Sequence, residues 1–378
     1  MQAFSFATTP RLLVQRGGSA HLGEQARRMG ASRVFLVSDA GLMRAGVVEP
    51  ALASLRAAGI DVTVYADVQA DPPETVVLAA AQLARDAGSD LVVGLGGGSS
   101  LDTAKLVALL AGGSESLEAI YGVDLARGPR LPLVLVPTTA GTGSEVTPIS
   151  IVTTPTHEKK GVVTPLLYPD LALLDAELTL GLPPAVTAMT GVDAMVHAIE
   201  AYTGRLKKNP LSDAFALDAL KRLFHHIDRV VQTGADIEAR EQMLLGSCMA
   251  GIAFANSPVG AVHALAYPLG GHHHVPHGLS NSLVLAPVLR FNLEAARAHY
   301  AELGRAVLGP AASAEDFVAA IEALVARMPY AQTLREVGVS EPELALLAED
   351  ALKVQRLLVN NPREVQPADA LALYREAF

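Results

Sequence analysis

Leu91-Val92-Val93-Gly94-Leu95-Gly96-Gly97-Gly98-Ser99-Ser100-Leu101-Asp102-Thr103-Ala104-Lys105 is the stretch on which the fold of this chain turns. It opens on a short apolar run suited to a buried strand, 91–93. Past the glycines, Ala104, Leu106, Val107 and Leu110 return at helical spacing. Three consecutive glycines, Gly96 to Gly98, exceed what a tight strand-to-helix turn needs. Without side chains the backbone can approach a phosphate closely, and free amides at the start of a helix attract its charge. Gly96, Gly97, Gly98 and Ser99 are therefore expected to hold a phosphate, or else to form a tight strand-to-helix turn with no ligand. The string departs from the usual GxGxxG fingerprint, because Ser99 stands where the third glycine would.

Outward from this turn, apolar runs at 33–37, 62–65 and 133–136 alternate with helical patterns at 47–58 and 74–87. Strands alternating with helices predict a mostly parallel, doubly wound sheet over roughly the first 175 residues. After Leu182-Pro183-Pro184 the strand signals stop. Helices are expected at 185–202, 212–232, 236–254, 293–308 and 314–327, and Ser340 with Glu343 has the spacing of a capping box opening one more helix toward Leu358. The division is placed at 1–180 for an α/β domain and 181–378 for an all-helical one.

Two more features belong to the first half. Asp39 ends the strand 33–37, where a carboxylate can bond ribose hydroxyls and repel a 2′-phosphate, or can simply cap the next turn. Pro137-Thr138-Thr139-Ala140-Gly141-Thr142-Gly143-Ser144-Glu145 also follows a strand, so it should meet the glycine turn at the C-terminal edge of the sheet, either on the cofactor or as an ordinary polar loop.

In the second half, Asp193 and His197 lie one helical turn apart and share a face, as a metal-binding pair or as a salt link. Five of the eleven histidines fall between His263 and His277, in a stretch with no other charged residue. A carboxylate and an imidazole joined by histidines of a second segment make a mixed N/O site suited to Fe(II) or Zn(II), with an open position for a hydroxyl or carbonyl oxygen.

The composition narrows the partners. A net charge of -10 argues against nucleic acid or an anionic membrane. One cysteine, Cys248, excludes an intrachain disulfide and points to a reducing compartment. No stretch reads as a signal peptide or membrane span, so a cytoplasmic location is expected.

With these residues in hand, the chain resembles the iron-containing (group III) alcohol dehydrogenases over nearly its whole length. The resemblance is carried by GGGSSLDTAK at 96–105, PTTAGTGSEVT at 137–147, TGVDAMVHAIEAY at 190–202, HALAYPLGGHHHVPHG at 263–278 and NPRE at 361–364. It implies the fold shared with dehydroquinate synthase, an α/β dinucleotide-binding domain followed by an all-α metal-binding domain. It further implies NAD and one divalent metal, Fe(II) before Zn(II), ligated by Asp193, His197, His263 and His277. Gly97, Gly98, Ser99, Asp102, Thr138, Thr139, Thr142 and Lys160 would then contact the cofactor, with Asp39 selecting NAD over NADP. Ile149 and Phe254 would line the substrate pocket, and their apolar character suits an alcohol or carbonyl compound uncharged at that end. The resemblance also implies a homodimer or larger assembly.

One position departs from that pattern. Tyr267 stands where many relatives have a histidine thought to relay the proton, and a phenol with a pKa near 10 is a poor base at neutral pH. Tyr267 or His274 is expected to carry the proton instead. Two other activities share the fold: a metal-independent reductase of the maleylacetate reductase type, and an NAD-using lyase similar to dehydroquinate synthase. The intact Asp193 and histidine set speaks against the first, and the lack of an evident phosphate-binding lysine and arginine pattern against the second.

Overall fold

The computed structural model describes residues 3–156 and 158–378. They form two compact units, one of Ala7–Thr139 with Gly143–Gly181, the other of Leu182–Phe378 with Ala140–Thr142 and the chain start through Phe6.

In the first unit the strands are β1 (Leu12–Val14), β2 (Arg33–Val37), β3 (Asp61–Tyr65), β4 (Leu91–Gly96), β5 (Gly122–Val123), β6 (Leu133–Pro137), β7 (Ile149–Thr153), β8 (Lys159–Val163) and β9 (Leu171–Leu174). The helices are α1 (Leu22–Arg28), α2 (Ala40–Arg44), α3 (Glu49–Ala57), α4 (Glu74–Asp86) and α5 (Gly98–Gly112). Among the described residues six strands make one sheet in the order β1-β9-β6-β4-β2-β3, every pair parallel. Successive side chains alternate between its faces. Phe35, Val37, Val92, Leu133 and Leu135 pack with Val77, Ala80, Leu101 and Ala104 of α4 and α5. Val34, Leu36, Leu91, Val93, Val134 and Val136 pack with Leu22, Ala26, Leu52 and Leu55 of α1 and α3. Burial on both faces is why these strands read as unbroken apolar runs.

The strand β4 continues through Gly96, three residues beyond the run expected from sequence. Gly94 therefore serves packing: a Cβ there would lie 2.6 Å from the Ala104 Cβ and 2.8 Å from the Leu135 Cδ2. The strands β1, β5, β7, β8 and β9 were not expected. The first two are only two or three residues long, and β7 and β8 interrupt their apolar residues with Ser150, Thr153, Lys159, Lys160 and Gly161. They form a small separate sheet, β5-β8-β7, with β7 antiparallel to β8.

The starts of β6 and β9 are fixed by one ion pair. Arg130 Nη1 donates to Asp170 Oδ2 at 2.7 Å, and the Leu133 amide donates to the same oxygen at 2.8 Å.

The second unit is helical: α6 (Pro184–Thr203), α7 (Pro210–Gln232), α8 (Ile237–Asn256), α9 (Ala261–His273), α10 (His277–Leu308), α11 (Ala314–Ala326), α12 (Leu344–Leu352), α13 (Gln355–Leu358) and α14 (Pro367–Ala377). Side-chain caps start several of them. Asn209 accepts from the Ser212 amide, Asp236 from the Ala239 amide, and Ser313 with Asp316 forms a capping box. The box read at Ser340 and Glu343 is present and leads through a short 3-10 turn into α12. The central helix is α6, buried on all sides from Gly191 to Thr203. It is mostly apolar on every side apart from Asp193, His197, Glu200 and threonines, unlike the striped α7 beside it.

The parallel α/β first half and the helical second half both agree with the sequence reading. One expectation needs correction. The histidine-rich stretch lies outside the helices expected from sequence, yet 261–273 is helical despite Pro268, and α10 begins at His277 rather than near residue 293. Pro268 and Gly270-Gly271 read as breakers, but burial of Val262, Leu265 and Leu269 holds the helix. Among the described residues no single helix is long and apolar enough to cross a membrane.

The Arg130–Asp170 pair makes a checkable claim about pH. Burial alone would raise the Asp170 pKa, but the hydrogen bonds from Arg130 and Leu133 and the guanidinium charge outweigh it and hold it below the ordinary value. A carboxylate depressed on folding stabilises above its unfolded pKa near 4, and that contribution is lost as pH falls through the folded pKa. Asp170→Asn is expected to unfold at lower urea concentration than the parent at pH 7, with the gap closing as pH drops below about 4. A gap of constant size from pH 7 to pH 3 would contradict it.

Candidate functional site

In the first unit the glycine turn opens α5. Gly97 is its extended N-cap, no acidic residue occupies the first turn, and no side chain caps the helix start. The amides of Gly98 and Ser99 are thus left at the positive end of a 15-residue helix. The Thr138 amide donates to the Gly96 carbonyl at 2.9 Å, which sets the turn after β6 beside the turn after β4. A Cβ on Gly97 would lie 3.6 Å from Thr139 Cγ2, so Thr139 flanks the cradle at ordinary contact distance. Thr142 belongs by its contacts to the second unit.

Asp39 does cap a helix. Its Oδ1 accepts from the Leu42 amide of α2 at 3.0 Å. Lys160 sits on β8, 3.9 Å from Glu158 and over the Tyr121 ring at 5.5 Å.

Asp102 bonds the protein's own groups through both carboxylate oxygens. Its Oδ1 accepts from Ser144 Oγ at 2.5 Å and its Oδ2 from the Ile151 amide at 3.0 Å, so both oxygens face the protein. It braces α5 to β7 together with the fully buried Lys105, which donates to the Ile149 carbonyl at 2.7 Å. Sequence spacing places Asp102 one turn past the glycines and cannot say which way the carboxylate points. Ile149 opens β7, half-buried, in the first unit.

In the second unit four side chains from three helices converge. Asp193 and His197 come from α6, His263 from the first turn of α9, and His277 from the first residue of α10. One ligand atom from each lies within 4.8 Å of all the others. Asp193 Oδ1 is 3.6 Å from His277 Nε2 and 4.0 Å from His263 Nε2. The His197 ring stacks on His263 at 4.7 Å and on Phe254 of α8 at 4.3 Å, so an apolar ring walls the cluster. His277 can come so close because Gly278 follows it: a Cβ there would lie 2.4 Å from the Met189 carbonyl oxygen of α6.

The protonation states suit a cation. Burial pushes the His197 imidazole down to about 3, leaving it neutral. Burial also works against the Asp193 charge, but the three imidazoles and a hydrogen bond from Asn281 hold its pKa below the ordinary value. Asn281, one turn after His277, is a residue the sequence reading missed. Its Nδ2 donates to Asp193 Oδ1 at 2.6 Å and lies 3.2 and 3.3 Å from the Nε2 atoms of His263 and His277. An N–H donor at the focus of three acceptors marks where a cation would be held. His197 Nδ1 is buried with no hydrogen-bond partner among the described residues. The donor set, one carboxylate and three imidazoles, fits Fe(II) or Zn(II).

Comparison with known proteins agrees with this geometry. Residues 9–176 match the model of the iron-containing alcohol dehydrogenases, and residues 187–378 the C-terminal model of the same family. The chain is 38% identical over 372 residues to long-chain-alcohol dehydrogenase 1 of Geobacillus thermodenitrificans, covering 96% of this chain and 93% of that one. It is 35% identical over 381 residues to the NAD-dependent methanol dehydrogenase of Bacillus methanolicus, covering 99% and 100%. A crystal structure of a 1,3-propanediol oxidoreductase superposes with a TM-score of 0.96 at 34% identity, over 100% of both chains. The chain belongs to the iron-containing alcohol dehydrogenase family.

Within this family member the remaining histidines fall outside the cluster. His272 Nε2 bonds Asp350 at 2.6 Å and His273 Nε2 lies 3.6 Å from Glu343, so both brace α9 against the segment that carries α12. His274 ends α9 in the left-handed conformation, φ 53° and ψ 28°. The Tyr267 ring lies 6.3 Å from the His277 ring, and its hydroxyl accepts from Arg356 at 3.4 Å.

Proposed function

We propose that this chain interconverts a small alcohol and its aldehyde or ketone by hydride transfer with NAD(H), using one divalent cation held by Asp193, His197, His263 and His277. The observation that carries the reading is the convergence of that carboxylate and three imidazoles on one point. Iron is the first choice of metal because of the family, with zinc the alternative the same donors accept. In this reading residues 1–180 are the nucleotide-binding domain and 181–378 the metal-binding domain. The chain works in the cytoplasm as a homodimer or larger assembly, in keeping with one buried cysteine and with exposed Leu12 and Val14 on the open edge strand β1.

The cation, when bound, supplies Lewis acidity toward the hydroxyl or carbonyl oxygen. The protein's own groups do the rest. Gly96, Gly97, Gly98 and Ser99 offer backbone amides to the pyrophosphate, and Thr138, Thr139, Thr142 and Lys160 continue along the cofactor. Asp39 offers its carboxylate to the ribose. Phe254, stacked on His197, excludes water and favours an uncharged substrate end. NAD, when bound, would supply or accept the hydride at nicotinamide C4, and Tyr267 or His274 would take or return the proton.

Three tests follow. Exhaustive chelation should abolish turnover, and Fe(II) or Zn(II) should restore it at one ion per chain. Full activity in metal-free protein would return the case to the metal-independent reductase. For the cofactor, Asp39→Gly is expected to narrow the NAD preference by one to two powers of ten, about 1.4–2.8 kcal/mol. Glycine is tolerated as an N-cap at a cost of only about a few tenths of a kcal/mol, so the change reports on charge rather than on α2. Equal kcat/KM for NAD and NADP in the parent would sink the assignment. For the proton, Tyr267→Phe lowers kcat about 10²-fold at unchanged metal content where the hydroxyl is the relay. Where His274 is the relay, His274→Ala flattens the pH–rate limb near neutrality. Parent-like rates and pH profiles in both variants would assign the proton to water.

A further inference from the structure

The helix α9 has no cap of its own. Its N-cap is Gly260, which offers no side chain, yet the first-turn amides are buried. Two residues distant in sequence supply the missing acceptors. The Ala261 amide donates to Asn361 Oδ1 at 3.4 Å, and the Val262 amide donates to Glu200 Oε1 at 2.7 Å. The other oxygen of the same carboxylate, Glu200 Oε2, accepts from His263 Nδ1 at 2.6 Å. Glu200 lies on α6, one turn beyond His197 and two beyond Asp193. A single buried side chain therefore joins the helix carrying two of the convergent residues to the imidazole contributed by another.

We propose that Glu200 is a positioning residue for the cation: it fixes both the place and the tautomer of His263. This rests on the metal reading above. A carboxylate only accepts, so the proton of His263 resides on Nδ1, and the lone pair of Nε2 is directed at the focus shared with Asp193 and His277. The bond to Val262 sets the start of α9, two residues into which His263 stands. Asn361, the first residue of the NPRE string, completes the arrangement. It pairs with Asn292 of α10 through two amide hydrogen bonds of 2.9 and 2.7 Å, and its Nδ2 also donates to the Arg363 carbonyl. The tail motif thus takes on a physical role as the second cap of α9. Glu200 itself is buried and borders a cavity of about 10 Å³ with Asn292, Tyr300 and Asn361.

The decisive substitution is Glu200→Gln, which preserves shape. An amide cannot serve both partners. With its oxygen on Val262, its NH₂ group faces His263 Nδ1 and drives the ring proton to Nε2, against the cation. Turned the other way, it sets NH₂ against the Val262 amide. Zn(II) affinity, measured by competition with a chromophoric chelator, should weaken 10–100-fold in Glu200→Gln. Co(II)-substituted protein should show an altered visible spectrum, which a purely structural residue would not cause. Thermal unfolding of the metal-free forms controls for folding, and Asn361→Asp, which keeps an acceptor for Ala261, checks the second cap. Parent-like Zn(II) affinity and Co(II) spectrum in a folded Glu200→Gln protein would overturn the proposal. Failure of the parent itself to bind one Zn(II) per chain would instead overturn the metal reading.

Discussion

A carboxylate buried as deeply as that of Asp193 cannot keep its charge alone. Taking an ion out of water costs several kcal/mol, on the order of what one domain has in net stability, unless partners replace the lost hydration. Here the partners are three imidazoles and the Asn281 amide, and each arrives from a residue whose position is set by helix packing on α6. The same burial keeps His197 neutral, so its lone pair stays available. Charge on the carboxylate and neutrality on the ring are opposite demands on two residues one turn apart. The enclosure meets both: Asn281 donates to Asp193, while the Phe254 ring stacks on His197. A divalent cation satisfies what remains, and metal affinity in such a site is coupled to folding because no unfolded chain holds the ligands together.

The first unit obeys a different constraint. A parallel sheet buried on both faces must return each strand through a helix, so the turns after β4 and β6 fall together at its C-terminal edge. The glycines at this edge divide their work. Gly94 lies inside the strand and lets α5 pack on the sheet, whereas Gly97 and Gly98 stand at the helix start, where amides are free. Asp102 and Lys105, one turn further on, lock that helix to β7 from behind. A string that reads as one binding motif thus contains residues that hold the ligand surface and residues that hold the surface in place.

That division explains what the sequence discloses. Alternation of strands and helices, the glycine turn and the i,i+4 pair of Asp193 and His197 are local patterns, and local patterns survive in a linear string. Glu200 and Asn281 do not stand out, because Glu200 meets His263 from 63 residues away and Asn281 donates to Asp193 from 88, even though Asn281 also stands one turn from His277. The only trace of Glu200 is one more carboxylate on the mostly apolar helix that carries Asp193 and His197. Spacing gives the turn on which Asp102 stands but not the direction of its carboxylate, which bonds Ser144 and the Ile151 amide. The helix over the histidine stretch was not expected, and Pro268 with Gly270-Gly271, breakers in isolation, is overridden there by burial.

The precision of the cluster depends on backbone approach as much as on ligands. Around Asp193 the chain places glycine wherever another segment must close on α6. A Cβ on Gly191 would meet Met243 Cε at 2.8 Å and Ile227 Cδ1 at 3.0 Å; one on Gly141 would meet Thr190 Cβ at 2.7 Å; and Gly278 clears the Met189 carbonyl. The three contacts surround the turn 189–193 from α7 and α8, from the segment 140–142, and from α10. Side chains at the first of these sites could yield, since Met243 and Ile227 end in flexible atoms. At Gly278 the obstacle is backbone, and backbone does not yield cheaply. An added methyl would displace α10, carrying His277 and Asn281 away from Asp193 together. The geometry of the ligand set is therefore held by a residue that contributes no ligand atom.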